Sequence, residues 1–265
     1  MSMDKRMNVL EFQRKCDKGE KLTVVTAYDY SIALAVDAAG VDAILVGDSL
    51  NMTMLGRDNT LSATMDEMIH HAKAVVKGTK NALVIGDMPF LSYQLGPEEA
   101  LENAGAFLTE AGTQAVKLEW CPQAVEVTEF LVENGIPVMG HVGFTPQQIH
   151  RFGGYHQQGK DSASASRLLK EAKELEKAGA FAVVLELIPS DIAKKISAGL
   201  KIPTIGIGAG PHCDGQVQVL HDLLGLLPDF HPKHAKAYLH LHESIRDAIK
   251  RYADEVRSGK FPPSH

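Results

Sequence analysis

The sequence lacks the features that mark secreted and membrane-spanning proteins. Only three of its 265 residues are cysteines, Cys16, Cys121 and Cys213, and none forms a CxxC pair, so we expect no disulfide framework. It contains no run of about 18 apolar residues. No apolar stretch follows the charged start at residues 1–8 either, as it would in a secretory signal. We therefore expect a cytoplasmic protein.

An excess of positive charge is also absent. Lys and Arg number 27 against 33 Asp and Glu, which gives a formal net charge of −6. Such a chain offers no basic field to attract nucleic-acid phosphates or an anionic membrane surface. The remaining composition, with 45% hydrophobic and 23% charged residues, is typical of a globular domain with a large core.

Eight short runs of apolar and β-branched residues recur along the chain and predict β-strands. Most segments between them have helical periodicity, with apolar residues such as Met65, Met68, Ile69 and Ala72 on one face. Repeated strand–helix units favour a parallel sheet, and eight units most simply close into an α/β fold of the (β/α)8 TIM barrel type. An open doubly wound sheet is the alternative. The predicted strands are 22–28, 43–47, 83–88, 115–119, 137–142, 180–186, 203–208 and 216–221.

Three segments depart from an ideal barrel. Residues 8–18 predict an extra N-terminal helix, and residues 232–258 predict a C-terminal helical extension. The segment between the seventh and eighth predicted strands is too short for a full helix. No linker-like stretch divides the chain, so we predict a single (β/α)8 barrel domain over residues 1–265.

Acidic residues end four of the predicted strands. The second and third strands run into Gly-Asp, at Asp48 and Asp87, and the sixth ends at Glu186. The fourth carries Lys117 and Glu119 two residues apart, and therefore on one face. Parallel barrels take their reactive groups from the C-terminal strand ends. One such Asp could simply cap the next helix, but crowded carboxylates repel one another unless a cation intervenes.

The types of side chain indicate which cation would suit this cluster. Two aspartates and a glutamate, with no thiolate among them, favour magnesium over zinc. His141, at the end of the fifth predicted strand, is a hydrogen-bonded core histidine, an added ligand or a substrate contact. The Gly-rich segment 206–210 is similar to part of a dinucleotide fingerprint, but it leads into Pro211 and no suitable helix, so we reject NAD binding.

Several segments together resemble the ketopantoate hydroxymethyltransferase family. Each Gly-Asp is nonspecific alone, but the order, spacing and barrel position of these segments are specific to that family. The resemblance covers residues 8–232. The segments are Val46–Ser49, Gly86–Phe90, Val116–Glu119, Gly140–Gln147, Leu185–Pro189, Gly206–Gly210 and Cys213–Gly225.

The resemblance implies an activity. Enzymes of this family transfer a hydroxymethyl group from 5,10-methylenetetrahydrofolate to 3-methyl-2-oxobutanoate, forming 2-dehydropantoate (ketopantoate) for pantothenate and coenzyme A synthesis. The resemblance implies that the reaction proceeds through an enolate stabilised by Mg²⁺. It also implies a homo-oligomer, a decamer.

The resemblance also implies roles for individual residues, carried over by position. The implied proton acceptor is Glu186. The implied oxo-acid site consists of Asp48, Ser49, Asp87 and Lys117. The implied metal site consists of Asp48, Asp87 and Glu119, the last of these acting directly or through water.

Two other functions are compatible with an acidic barrel mouth. One is a magnesium barrel of the phosphoenolpyruvate and isocitrate lyase kind, which also binds 2-oxo acids and stabilises enolates. The other is a catalytically silent protein that binds an oxo acid or serves as a scaffold, which would need no intact base and metal cluster. Product formation that depends on folate distinguishes the transferase from the lyase kind.

Overall fold

The structure is a computed structural model that describes residues 6–228 and 232–263. The start of the chain at residues 1–8 therefore lies partly outside the described residues. The chain forms two compact units, Met1–Gln218 and Val219–His265, which we describe separately. A single domain over residues 1–265 stays a prediction. Within the described ranges, no helix combines the length and the apolar character needed to cross a membrane.

Within the described part of the first unit, eight parallel strands pair in chain order. β1 also pairs with β8, so the sheet closes into a barrel. The predicted (β/α)8 barrel is confirmed, and the open doubly wound alternative is wrong. The strands are β1 Leu22–Thr26, β2 Ala43–Val46, β3 Leu83–Asp87, β4 Ala115–Lys117, β5 Val138–Gly143, β6 Ala182–Glu186, β7 Thr204–Ile207 and β8 Gly215–Gln218.

Helices lie between most of these strands. Side-chain caps fix several of their starts: Asn8 accepts from two backbone N–H groups of α1, and Thr64 and Glu67 form a capping box at α4. The extra N-terminal helix is confirmed as α1. The helices of this unit are α1 Val9–Asp17, α2 Tyr30–Ala38, α3 Leu50–Thr53, α4 Met65–Gly78, α5 Pro97–Ala106, α6 Ala124–Glu133, α7 Ile149–Phe152, α8 Ser162–Lys177 and α9 Ser190–Gly199.

Several strands end earlier than predicted. β4 ends at Lys117, although Leu118 N–H still donates to Met139 O at 3.1 Å, so beyond this point the chain follows only the β5 side. β8 covers Gly215–Gln218, where residues 216–221 were predicted, because a helix begins at Leu220. Apolar runs continue into buried loops, whereas strand ladders end where the neighbouring backbone diverges. As predicted, no helix lies between β7 and β8 in this described segment.

The N-terminal end of the barrel is closed by apolar packing. Phe12 of α1 is fully buried in the cluster formed by the barrel interior, and its ring meets Phe181 edge-on at 6.1 Å. Burying a side chain of this size stabilises the fold by about 1.5–3 kcal/mol. Leu83, Met139 and Ile205 extend the cluster along the barrel. Polar chemistry is therefore left to the opposite end, where the strands terminate.

The second unit contains two helices within its described residues, α10 Leu220–Leu224 and α11 Leu241–Arg257. The predicted C-terminal helix is confirmed, but it begins at Leu241, whereas residue 232 was predicted. Gly225 ends α10 with a positive φ, and a Cβ there would lie 2.5 Å from Leu239 O. One face of α11 exposes apolar side chains, namely Ile245, Ile249, Tyr252 and Val256.

Glu171 on α8 makes the stability of the fold depend on pH. Its side chain is only 11% exposed, and burial raises the pKa of Glu171 to about 7 despite Arg167 at 3.5 Å. The pKa of glutamate in an unfolded chain is about 4.3. The stability that protonated Glu171 contributes is therefore fully present below about pH 4.3 and is lost as the pH rises through about 7. We expect Glu171→Gln to raise the free energy of unfolding by about 1–2 kcal/mol at pH 8 and to change it little at pH 4.

Denaturant unfolding at both pH values measures this effect. The matched control is Glu174→Gln on the same helix, because the Glu174 side chain is 34% exposed and pairs with Lys170 at 3.6 Å. We expect the control to change stability little at either pH. If Glu171→Gln changed the free energy of unfolding equally at pH 4 and pH 8, the cost of burying the charged carboxylate would not be its cause.

Candidate active site

The C-terminal strand ends bring the predicted polar residues together. Asp87, Lys117 and Glu186 are the last residues of β3, β4 and β6, and Asp48 and Glu119 lie two residues beyond β2 and β4. All except Glu186 are nearly inaccessible to solvent, and the Glu186 side chain is 14% exposed. We call this group, together with the buried His141 of β5, the strand-end cluster.

Asp87 connects two neighbouring strands within the cluster. Its Oδ2 accepts from the backbone N–H of Asp48 at 3.0 Å, and its Oδ1 lies 2.7 Å from Lys117 Nζ in a buried ion pair. Gly47 leaves room for the Ser49 side chain, because a Cβ at that position would lie 2.8 Å from Ser49 Oγ. The Gly-Asp ending of β2 therefore has a steric reason.

The cluster contains four carboxyl groups and one lysine. Burial opposes the charged form of Lys117, but Asp87, Glu119 and Asp48 outweigh it and raise its pKa, so Lys117 is a cation. Burial and the Asp87 charge raise the pKa of Asp48, against the charge of Lys117. Burial also raises the pKa of Glu119 well above its usual range. One lysine does not neutralise these carboxylates, so further positive charge would stabilise their ionised forms.

His141 lies between the lysine and the predicted base. Its Nδ1 is 3.4 Å from Lys117 Nζ, and its Nε2 is 3.2 Å from Glu186 Oε2. Burial, followed by the charge of Lys117, lowers the pKa of His141 well below its usual range, so the ring is neutral. Because an ammonium group only donates, Nδ1 accepts and the ring proton is on Nε2, beside Glu186. His141 is therefore hydrogen-bonded to Lys117 through Nδ1, whereas its Nε2 lies close to Glu186 without an aligned hydrogen bond.

The backbone around Glu186 is unusually constrained. Gly143 has φ +104°, and a Cβ there would lie 2.2 Å from Glu186 O, so only glycine allows β5 to approach β6 this closely. Leu187, immediately after Glu186, has φ +46°. A left-handed leucine costs on the order of 1–3 kcal/mol, and such strain concentrates at functional sites.

Ser49 lies at the edge of the cluster, half-buried at the start of α3. Its Oγ is 2.8 Å from the hydroxyl oxygen of Tyr28. Tyr28 is neutral, because burial raises its pKa to about 12. This contact orients the Ser49 hydroxyl beside Asp48.

Gln147, which contacts two of the carboxylates, and Tyr93, which contacts Gln147, were not predicted from the sequence. Gln147 donates from its backbone to Glu119 Oε2 and from its side chain to Asp48 Oδ2, both at 3.0 Å. Tyr93 OH donates to Gln147 Oε1 at 2.7 Å. Gln147 ends the segment 140–147 that carries the family resemblance, which is the signal that could have identified it. Tyr93 has no comparable signal.

The donor set is compatible with a hard cation. Asp87 Oδ1, although paired with Lys117, and Glu119 Oε1 are buried carboxylate oxygens without an aligned hydrogen bond. Oxygens of this kind are the ligands that magnesium prefers. In the described residues, however, no three His, Cys, Asp or Glu side chains converge into a ready-made metal site. The protein side chains would therefore supply only part of a coordination shell.

An aromatic group borders the cluster. The ring of Tyr155 is half exposed, lies 5.0 Å from that of Phe144, and its hydroxyl contacts Met52 Sδ at 3.4 Å. Burial raises the pKa of Tyr155, and the charges of Glu186 and other cluster carboxylates raise it further. Tyr155 therefore presents an apolar ring face close to the acidic groups.

Comparison with known proteins identifies the family. A sequence model of the ketopantoate hydroxymethyltransferase family matches residues 6–264. The 3-methyl-2-oxobutanoate hydroxymethyltransferase of Clostridium botulinum strain 657 is 53% identical over 97% of this chain and 94% of its own. The enzyme of Syntrophomonas wolfei is 50% identical over 97% of this chain and 93% of its own. That of Chloroflexus aurantiacus is 52% identical over 98% of this chain and 92% of its own.

Solved structures with similar folds are more distant in sequence. Phosphonopyruvate hydrolase in complex with oxalate and Mg++ has a TM-score of 0.62 at 13% identity, over 96% of this chain and 88% of its own. The PEP mutase/isocitrate lyase superfamily member 2,3-dimethylmalate lyase has a TM-score of 0.61 at 16% identity, over 97% of this chain and 90% of its own. Such identities show the fold alone. The family match and the close relatives decide the assignment: the chain belongs to the ketopantoate hydroxymethyltransferase family.

Proposed function

We propose that the strand-end cluster performs the reaction of this family, the transfer of a hydroxymethyl group from 5,10-methylenetetrahydrofolate to 3-methyl-2-oxobutanoate to form ketopantoate for pantothenate biosynthesis. One observation supports this site above all. A carboxylate able to accept a proton, Glu186, lies at the same barrel end as the buried Asp87–Lys117 pair, with His141 between them. A base and a cationic group for an anionic substrate are thus available together.

The reaction requires removal of a weakly acidic carbon-bound proton. The C3 hydrogen of the oxo acid is less acidic than a carboxylic acid by more than about ten pKa units, at about 1.4 kcal/mol each. A glutamate alone cannot bridge that difference. Lys117 is buried and cationic, so it would attract the substrate carboxylate and stabilise negative charge that develops on the oxo acid.

Glu186 is the group we assign to proton removal. Its side chain is partly exposed at the end of β6, where a substrate can reach it. The protonated Nε2 of His141 lies 3.2 Å from Glu186 Oε2, close enough for its N–H dipole to stabilise the charged carboxylate. Asp48, Ser49, Asp87 and Lys117 would form the surrounding oxo-acid site.

We further propose that Asp48 and Asp87 hold a magnesium ion directly and that Glu119 holds it through water. The buried oxygens of Asp87 and Glu119 that lack an aligned hydrogen bond support this assignment. A bound magnesium ion would supply Lewis-acid stabilisation of the negative charge on the substrate keto oxygen. The side chains themselves keep these oxygens dehydrated and in place.

We infer a homo-oligomer, a decamer by family resemblance, and the exposed apolar stripe of α11 supports self-association of some kind. Small molecules are the proposed partners, with no nucleic acid and no membrane. The three free cysteines are compatible with a cytoplasmic location.

A coupled assay tests the function. We expect the protein to form ketopantoate, measured by mass, only when 3-methyl-2-oxobutanoate and methylenetetrahydrofolate are both present. We expect a chelator to reduce the rate by at least about 100-fold and added magnesium to restore it, because charge stabilisation of this kind is worth several kcal/mol. Cleavage of a 2-oxo acid without folate would instead favour a lyase, and oxo-acid binding without turnover would favour a silent scaffold.

A further inference from the structure

We propose that Gln147 is a positioning residue that holds Asp48 and Glu119 in the arrangement needed for metal and oxo-acid binding, and that Tyr93 sets the direction of its amide. Gln147 lies in the short 3-10 turn Pro146–Gln148 after β5 and is 3% exposed. The inference rests on the proposed function of the cluster.

The side-chain amide of Gln147 uses its full hydrogen-bonding capacity. Its Nε2 donates to Asp48 Oδ2 at 3.0 Å and to Met88 O at 2.9 Å. Its Oε1 accepts from Tyr93 OH at 2.7 Å and from Gln94 Nε2 at 3.3 Å. Met88 O can only accept a hydrogen bond, so the side of the amide that faces both Met88 and Asp48 must be the Nε2 side. A reversed amide would place two acceptors against each other on that side.

Tyr93 fixes the other side of the amide. Its hydroxyl oxygen accepts the backbone N–H of Glu119 at 3.2 Å, so its own proton remains available for Gln147 Oε1. Tyr93 is fully buried, and burial raises its pKa well above the usual range, so it remains a neutral donor. The direction of hydrogen bonding therefore runs from Glu119 N–H through Tyr93 and Gln147 to Asp48.

A second hydrogen bond from Gln147 closes this series of hydrogen bonds into a ring. The backbone N–H of Gln147 donates to Glu119 Oε2 at 3.0 Å. Gln147 thus contacts one oxygen of each carboxylate and makes no hydrogen bond to the other oxygen of either. For Glu119 that other oxygen is Oε1, which is buried without a hydrogen bond. Gln147 therefore touches two of the carboxylates proposed to bind metal, and it lies on neither of their strands.

The decisive test is Gln147→Met, which keeps the length of the side chain but removes its two N–H donors. Calorimetry with magnesium alone should show an affinity about 10–100-fold weaker, the range typical of lost outer-shell partners. The KM for the oxo acid should rise similarly, whereas kcat at saturating magnesium and oxo acid should recover to within about threefold. A merely structural defect would not be corrected by excess metal.

The neighbouring residue provides a matched control. Gln148 donates to Trp120 O and accepts from Arg151, so Gln148→Met also loses one half-buried and one exposed hydrogen bond but touches no cluster carboxylate. We expect magnesium affinity within about twofold of the unaltered protein, since the outer shell is intact. An equal loss in Gln148→Met would overturn the proposal.

If Gln147→Met does not fold, Tyr93→Phe tests the same positioning role. It removes only the hydroxyl and should weaken magnesium binding in the same direction by a smaller factor. Unchanged magnesium affinity and KM in a folded Gln147→Met or Tyr93→Phe protein would overturn the positioning role. If the unaltered protein itself neither binds magnesium nor forms ketopantoate, the proposed function fails, which is a separate outcome.

Discussion

We expect Glu186→Gln to bind 3-methyl-2-oxobutanoate nearly normally and to lose exchange of the C3 hydrogen with solvent by about 10²–10⁴-fold, the range typical of a removed general base. The amide has almost the size of the carboxylate but cannot accept the proton. Its oxygen can still face His141 Nε2, which lies 3.2 Å from Glu186 Oε2, so the surroundings should remain ordered. The loss would therefore fall on the chemical step.

Proton NMR in deuterated solvent measures this exchange directly, without folate. Omitting folate separates proton removal from the later formation of the carbon–carbon bond. Glu171→Gln on α8 is a suitable control, because the same substitution outside the barrel mouth should leave the exchange rate unchanged. Undiminished exchange in Glu186→Gln would assign proton removal to another group.

The second large effect concerns the two aspartates. Asp48→Asn and Asp87→Asn should each weaken magnesium and oxo-acid binding together, by at least about 100-fold, since even outer-shell losses reach that range. Only Asp87→Asn should also destabilise the fold, because it leaves Lys117 Nζ, 2.7 Å away and 5% exposed, without its ion-pair partner. Breaking a buried pair of this kind costs about 3–5 kcal/mol.

Calorimetry and denaturant unfolding together separate these two consequences. Asp191→Asn is the matched control, because the Asp191 side chain is 71% exposed and its pair with Lys195 lies at the 4.0 Å limit. We expect it to change neither binding nor stability measurably. Magnesium and oxo-acid affinities that change independently of each other in Asp48→Asn or Asp87→Asn would argue against a shared site.

The strand ends illustrate how far local sequence pattern reaches. Alternation and apolar runs are local properties, so Asp48, Asp87, Lys117, Glu119 and Glu186 could be placed at one barrel end before any contact was known. The same pattern overestimated β4 and β8, because burial continues beyond the last strand hydrogen bonds. Only the course of the neighbouring backbone shows where a ladder ends.

Which side chains of the cluster contact one another depends on closure of the barrel. The Asp87–Lys117 pair, the tautomer of His141 and the orientation of Ser49 by Tyr28 all arise from distances between different strand ends. No spacing in the sequence encodes these distances. Gln147 is the clearest case, because it bonds to a carboxylate 99 residues away.

By itself the sequence determined the barrel class, the acidic mouth and, through family motifs, the expected chemistry, because periodicity and motif order are written along the chain. The tertiary structure alone decided which oxygen faces which donor. Those contacts depend on the register between strands and on side chains, such as Tyr93, that carry no signal of their own. Hydrogen bonds act over about 3 Å, so only the folded arrangement could select them.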